Sequence, residues 1–360
     1  MPGAELPCFA RLHLVTMKFT LSLLSLFALG LVSSTSHGCD LCGCYLPSQQ
    51  QVHQSRWGFF AGVSEQFTHF GTLQYNDQEV DNPTGQYLDS SNTQVVLGTS
   101  LLEGRFGLQL NTPLIYRSFQ RPEGFETDRG HVQGLGDLSL LANWRVFRTG
   151  DSVPAAAPTG FRKDEKTVAE PIVTESPAFA SALNVFAGIK APTGDSSRLK
   201  EEFHEVEVEG APESGIHGHD LALGTGSWDG IFGAQLFLRY RAVFFQADTQ
   251  FTLRGDSHYS YHFANDFSWS GGPGVYLLRK ERKLLGLQCA LSGESKDTDR
   301  FQGRVAEDTG VTSLYIGPRV TAQLGNLSAD VGVDLPVIMN TTKLQVVPDY
   351  RIRAGITWHF

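Results

Sequence analysis

No apolar run past residue 32 is long enough for a transmembrane helix, which needs ~20 residues. Basic charge is also scarce. Against 38 Asp and Glu stand only 29 Lys and Arg in 360 residues, a net charge of −9. That balance excludes a generally basic nucleic-acid binder, so no nucleic-acid partner is expected. Cysteines number five, three of them between residues 39 and 44. A phosphate loop, a zinc-protease helix and a nucleophile elbow are all missing, and no enzymatic activity is expected. What the chain does have is glycine and aromatics. The 38 glycines are about 11% of the residues, above the usual ~7%, and are scattered rather than periodic. This excludes a collagen-like repeat and gives no support to a helical bundle.

The first 38 residues read as a leader. Met17-Lys18 opens a short basic start, and the 14 residues from Phe19 to Val32 are apolar. Ser36 and Gly38 then supply the small residues of a cleavage site before Cys39. Residues 1–16 read as an upstream extension of a signal peptide that starts at Met17. Removing 1–38 takes away one net positive charge and leaves −10. If the mature chain crosses a membrane, it must do so with strands.

Beyond residue 55 the pattern has period two. Ile352, Ala354, Ile356, Trp358 and Phe360 alternate with Arg351, Arg353, Gly355, Thr357 and His359. Leu327, Ala329, Val331, Val333, Leu335 and Val337 alternate with Ser328, Asp330, Gly332 and Asp334. Such alternation marks strands with one apolar and one polar face. Twelve strands are expected, near 56–67, 92–102, 104–117, 132–147, 179–191, 219–238, 240–254, 262–279, 283–295, 311–324, 326–340 and 347–360. Tight turns at Glu103-Gly104, Arg239-Tyr240, Glu281-Arg282 and Gly325-Asn326 alternate with longer polar loops at 68–91, 118–131, 192–218, 296–310 and 341–346. Short turns at one end and long loops at the other suit a closed antiparallel transmembrane β-barrel, all-β in class. The domain reading is a leader over 1–38, a Cys-containing segment or plug over 39–55, and a barrel over 56–360 with a long insert at 148–178. A soluble β-sandwich is the rival, but its outer face would be polar over a shared core.

Charge facing lipid costs roughly 2–4 kcal/mol for Arg or Lys at the bilayer midplane. Asp137, Arg145, Lys190, Asp248, Arg319, Asp330, Asp334, Arg351 and Arg353 are therefore expected to point into the lumen. There they would form a wall-stiffening ladder of ion pairs or a charged constriction. Cys39, Cys42 and Cys44 form a C-x2-C-x-C that suits a disulfide or a soft metal ion. His217 and His219, in an acidic loop, are candidate ligands for a divalent cation or part of a solvated charge run. No other cofactor is expected.

Trp358 and Phe360 resemble the terminal signal of bacterial outer-membrane barrels. This implies the cell outer membrane of a Gram-negative bacterium, its lipid as surroundings, and the barrel-assembly machinery as a partner through Phe360. Three further stretches carry a family resemblance: Gly134-Leu135-Gly136-Asp137-Leu138, Ala187-Gly188-Ile189-Lys190-Ala191-Pro192-Thr193-Gly194-Asp195, and Leu223-Gly224-Thr225-Gly226-Ser227. Over about residues 56–360 the chain resembles the transporter-like barrels named for the MetA pathway of phenol degradation, distantly similar to outer-membrane channels for hydrophobic compounds. The resemblance implies passive passage of small solutes, hydrophobic or aromatic ones among them. The alternatives are a metal-binding or sensor barrel built on the cysteines and the acidic loop, and a closed structural barrel with no conduit.

Overall fold

Because successive side chains of a strand point to opposite faces, the alternating stretches build a two-faced sheet. The computed structural model describes residues 58–150, 178–203, 208–280 and 283–360. Twelve long strands make the wall. They are β1 (Gly58–Tyr75), β2 (Tyr87–Leu101), β3 (Phe106–Glu123), β4 (Ser139–Thr149), β5 (Phe179–Lys190) and β6 (Asp229–Tyr240). The others are β7 (Val243–Leu253), β8 (Asp266–Lys280), β9 (Lys283–Lys296), β10 (Val311–Leu324), β11 (Leu327–Thr341) and β12 (Leu344–His359). Each strand pairs with the next, and β12 pairs back onto β1 from Phe60↔His359 to Tyr75↔Leu344. The sheet is a closed twelve-stranded antiparallel barrel, the fold class expected. The leader, the segment 39–55 and the insert residues 151–177 lie outside the described residues.

The two faces part cleanly on β3. Leu108, Leu110, Leu114 and Tyr116 are 37–44% exposed, whereas Gln109, Asn111 and Arg117 are each 1% exposed. Apolar side chains thus face outward, and amides and charges face the bore. At the short-turn rim Phe59, Trp144, Phe179, Tyr240 and Trp358 stand outside; Tyr116, Trp228 and Phe251 do so toward the other rim. Such aromatic girdles mark the two lipid interfaces of a transmembrane barrel.

Several boundaries differ from the sequence reading. The expected strand 219–238 begins only at Asp229; Gly218–Leu221 is instead a helical turn. Leu221 is fully buried, so its apolar character serves loop packing rather than a lipid face. The expected strand 132–147 is two segments. Glu126–Leu135 folds back along the outer half of β3, from Glu123↔Glu126 to Leu114↔Leu135, and β4 then takes the lower half. The loops expected at 68–91 and 118–131 are shorter, because β1, β2 and β3 run on past the apolar band. The loop expected at 341–346 is a tight turn between Thr341 and Leu344.

One seam stops short. The β11–β12 ladder runs from Leu327↔Trp358 to Asp334↔Arg351 and ends there. Yet β11 continues to Thr341 against β10, and β12 continues to Leu344 against β1. Extending the register would set Pro336 opposite Asp349 and Val337 opposite Pro348. Proline has no N–H for a ladder and is confined to strand edges. The result is an unzipped stretch of the seam, a slit in the ladder, bounded below by Asp334 and Arg351 and above by the 342–343 turn.

Candidate functional site

The loop between β5 and β6 folds over the long-loop mouth of the barrel and seals it from within. Ile216 and Leu221 are fully buried against Phe70 and Leu73 of β1, Leu88 of β2, Phe119 of β3 and Val346 of β12. Burying one such side chain contributes roughly 1.5–3 kcal/mol. Arg117, reaching in from β3, donates to the carbonyls of Asp220 (2.6 Å) and Ala222 (2.7 Å). A second small core joins Leu199, Ala222, Tyr261 and Phe263 from three loop segments. The mouth is closed by a packed plug.

The three stretches that carry the family resemblance converge at the root of this plug. Thr193 Oγ1 donates to the Gly136 carbonyl (3.0 Å) and accepts from the Leu138 N–H (2.9 Å). The Asp137 carboxylate accepts from the N–H of Gly194 (2.9 Å) and from the N–H and hydroxyl of Thr225 (2.7 and 2.9 Å). A Cβ on Gly194 would lie 2.8 Å from Gly224 Cα, and one on Gly224 would lie 2.5 Å from Asp137 Oδ1. The backbones touch, which only glycine allows. Below this knot lies a dry ion cluster. Lys190 Nζ is 2.9 Å from Asp229 and 3.6 Å from Asp137, and Arg254 bridges Asp229 (2.9 Å) to Asp266 (2.6 Å). All five side chains are at most 4% exposed.

Histidines tie the plug's outer side. His217 Nε2 is 3.1 Å from Asp308, His219 Nδ1 is 3.0 Å from Glu202, and the two rings stack at 5.7 Å. Burial alone would lower the His219 pKa, but the carboxylates of Asp220 and Glu202 outweigh it and hold it well above 6.5. Among the described residues no group of three or more His, Cys, Asp or Glu side chains could hold a metal ion. Cys39, Cys42 and Cys44 fall outside those residues. Ser196 Oγ lies 3.1 Å from His258 Nδ1, one more tie between loops.

Of the nine charged residues expected in the lumen, Asp137, Lys190, Arg319, Asp334, Arg351 and Arg353 are buried. Asp137 and Lys190 enter the cluster at the plug root; the others lie farther down the bore. Arg353 pairs with Asp334 on the neighbouring strand (3.2 Å), while Arg351 reaches Glu294 of β9 (3.2 Å) and covers the Tyr315 ring. The remaining inward positions on the other side of the barrel are largely amides. Gln94, Gln109, Asn111, Asn143, Asn184, Gln235 and Gln288 are at most 8% exposed, each with a polar atom lacking a partner among the described residues. Such groups call for polar partners beyond those the described residues supply. Sequence reasoning missed Asp229, Arg254 and Asp266. Asp229 faces Lys190 across the β5–β6 hairpin, a pairing hidden by the long loop between them.

Under the plug, behind the slit, is a small, partly open cavity of about 50 Å3. Phe70, Tyr315, Val346, Val347 and Pro348 form its apolar side; Glu294, Lys296, Thr309 and Ser313 form its polar side. A closed barrel with an apolar exterior, aromatic girdles and a plugged mouth defines an outer-membrane β-barrel, at home in the outer membrane of a Gram-negative bacterium and surrounded by its lipid. Comparison with solved structures agrees. The chain is similar to an outer-membrane channel from Pseudomonas putida F1, with a TM-score of 0.52 and 15% identity over 88% of this chain and 100% of that one. Lesser likenesses are to the beta domain of the Bordetella autotransporter BrkA (TM-score 0.41, 9% identity, 85% of this chain and 100% of that one) and to a Pseudomonas aeruginosa FadL homologue (0.33, 10%, 84% and 90%). No family model and no curated protein matches the sequence. The likeness to outer-membrane channels read from the sequence therefore holds at the level of the fold.

Proposed function

We propose that this chain is a passive channel of the outer membrane for small hydrophobic or aromatic solutes, which enter from the lipid side through the β11–β12 slit. The observation that carries the reading is the slit itself, which opens beside a half-apolar cavity while the plug closes the axial mouth. A solute dissolved in the bilayer meets Leu335, Val337 and Ile338 on the outer wall, all 45–58% exposed. Beyond the slit it meets Phe70, Val347 and Pro348. From the cavity the amide-lined bore leads toward the short-turn rim. The gradient drives passage. The fold shared with the Pseudomonas putida channel supports a conduit over a purely structural barrel.

The test is uptake of a small fluorescent aromatic probe into proteoliposomes. The protein should raise the rate several-fold over empty vesicles, and a short bis-maleimide cross-link between V337C and P348C across the slit should remove most of the gain. Uptake equal to that of empty vesicles overturns the channel reading, and full uptake with the cross-link formed overturns the slit as the route.

A further inference from the structure

Between slit and cavity runs a short stretch of the plug, Glu213–Ile216, held in a way the rest of the plug is not. The Gln86 side chain grips its backbone at two points: Nε2 donates to the Glu213 carbonyl (3.0 Å), and Oε1 accepts from the Gly215 N–H (2.8 Å). This imitates a strand neighbour, with one amide side chain taking the place of a ladder. Gln86 is itself 2% exposed and fixed by Asn82, whose side chain accepts from the Gln86 N–H and donates to its carbonyl (both 2.8 Å).

The stretch also reaches the slit. Val346 of β12 gives its N–H to the Gly215 carbonyl (3.1 Å), so the plug caps a part of β12 that has no ladder to β11. Gly215 fits there because it has no side chain. A Cβ would lie 2.7 Å from Leu73 Cδ1 and 3.1 Å from the Val346 nitrogen. One residue on, Ile216 is wholly buried in the cluster with Leu73 and Val346. Gly215 also lines the cavity. The stretch is thus at once a cavity wall and the cap on an open strand edge. If it lifts, cavity and slit become one space; if it is seated, they are separate.

We infer that Glu213–Ile216 is a strap that gates the slit, and that Gln86 is the positioning residue that keeps it seated. The inference rests on the slit being a solute route, as proposed above. The grips on this four-residue stretch make its release a discrete event: both Gln86 bonds, the Val346 bond and the long Arg121 bond to the Ile216 carbonyl (3.4 Å) break together, and Ile216 leaves its pocket. No other part of the plug need unfold, since Arg117 and the Asp137 knot hold it elsewhere.

The experiment reads strap position separately from transport. Val347, which lines the cavity, is changed by V347C in the full-length protein, folded in detergent micelles and in liposomes. The rate of reaction with a membrane-soluble maleimide is then followed, with the parent lacking V347C as the blank for native thiols. Q86L removes both grips at nearly constant size and should speed labelling at least tenfold, with faster uptake of the aromatic probe. Labelling at the parental rate in folded Q86L overturns the strap. Faster labelling with unchanged uptake sustains the strap and removes the slit as a transport route. Should Q86L fail to fold by heat-modifiable gel mobility, Asn82→Ala, which frees Gln86 and gives up one bond to the Gly71 carbonyl, serves in its place with the same outcomes.

Discussion

At the residue scale, the strongest constraints are the buried charges at the plug root. Lys190 touches two carboxylates in a setting only a few per cent exposed. Replacing one partner of such a group strands the others without water. Lys190→Met should therefore cost about 3–5 kcal/mol, measured by denaturant unfolding in detergent. His219 gives a pH dependence. Its folded pKa is raised, so its stabilisation is complete below the unfolded value of about 6.5 and is lost as pH climbs through the folded value. Protease resistance of the plug should hold from pH 5 to 6.5 and decline in alkaline buffer, and His219→Gln should flatten that profile. A decline on acidification instead would contradict the ion pairs drawn for His219.

At the scale of elements, the wall was legible and the loops were not. Alternation alone placed Asp334, Arg351 and Arg353 inward, because a charge on the wrong face would meet lipid. The same rule failed at 219–228. There Leu221 and Leu223 alternate as a strand would, but they answer to loop packing, which has no period. The convergence of Gly136-Asp137, Thr193-Gly194 and Gly224-Thr225 was also invisible, since the contacts join segments up to 88 residues apart. Their glycines now make a sharp prediction. Gly194→Val forces a side chain into Gly224 and should cost about 1–3 kcal/mol by overpacking, with the plug becoming sensitive to protease while the wall stays resistant. The slit gives another. P336V with P348V restores two ladder donors, so the pair should draw β11 and β12 together and lower probe uptake without loss of folded barrel. Unchanged or faster uptake would show that proline does not hold the seam open.

At the scale of the whole molecule, the inside-out distribution of polarity is what makes this a membrane protein. Leu110→Arg places a charge on the lipid face and should destabilise by about 2–4 kcal/mol if it sits near the midplane. Gln109→Arg, one residue away and facing the bore, should cost far less. Equal effects in lipid-reconstituted unfolding would mean that the two faces are not as different as drawn.

The pairing of β12 with β1 carries a consequence for how the molecule comes to exist. Neighbouring strands elsewhere are joined by the chain itself, but this seam unites residues near position 60 with residues near position 359. Translation delivers the second of these some 300 residues after the first. Until then any partly made sheet presents two raw borders, each able to recruit a stranger. Assembly must therefore be late, all at once, and slow by comparison with a fold made of local pairs; a chaperone that shields the first border until the last arrives would decide the yield.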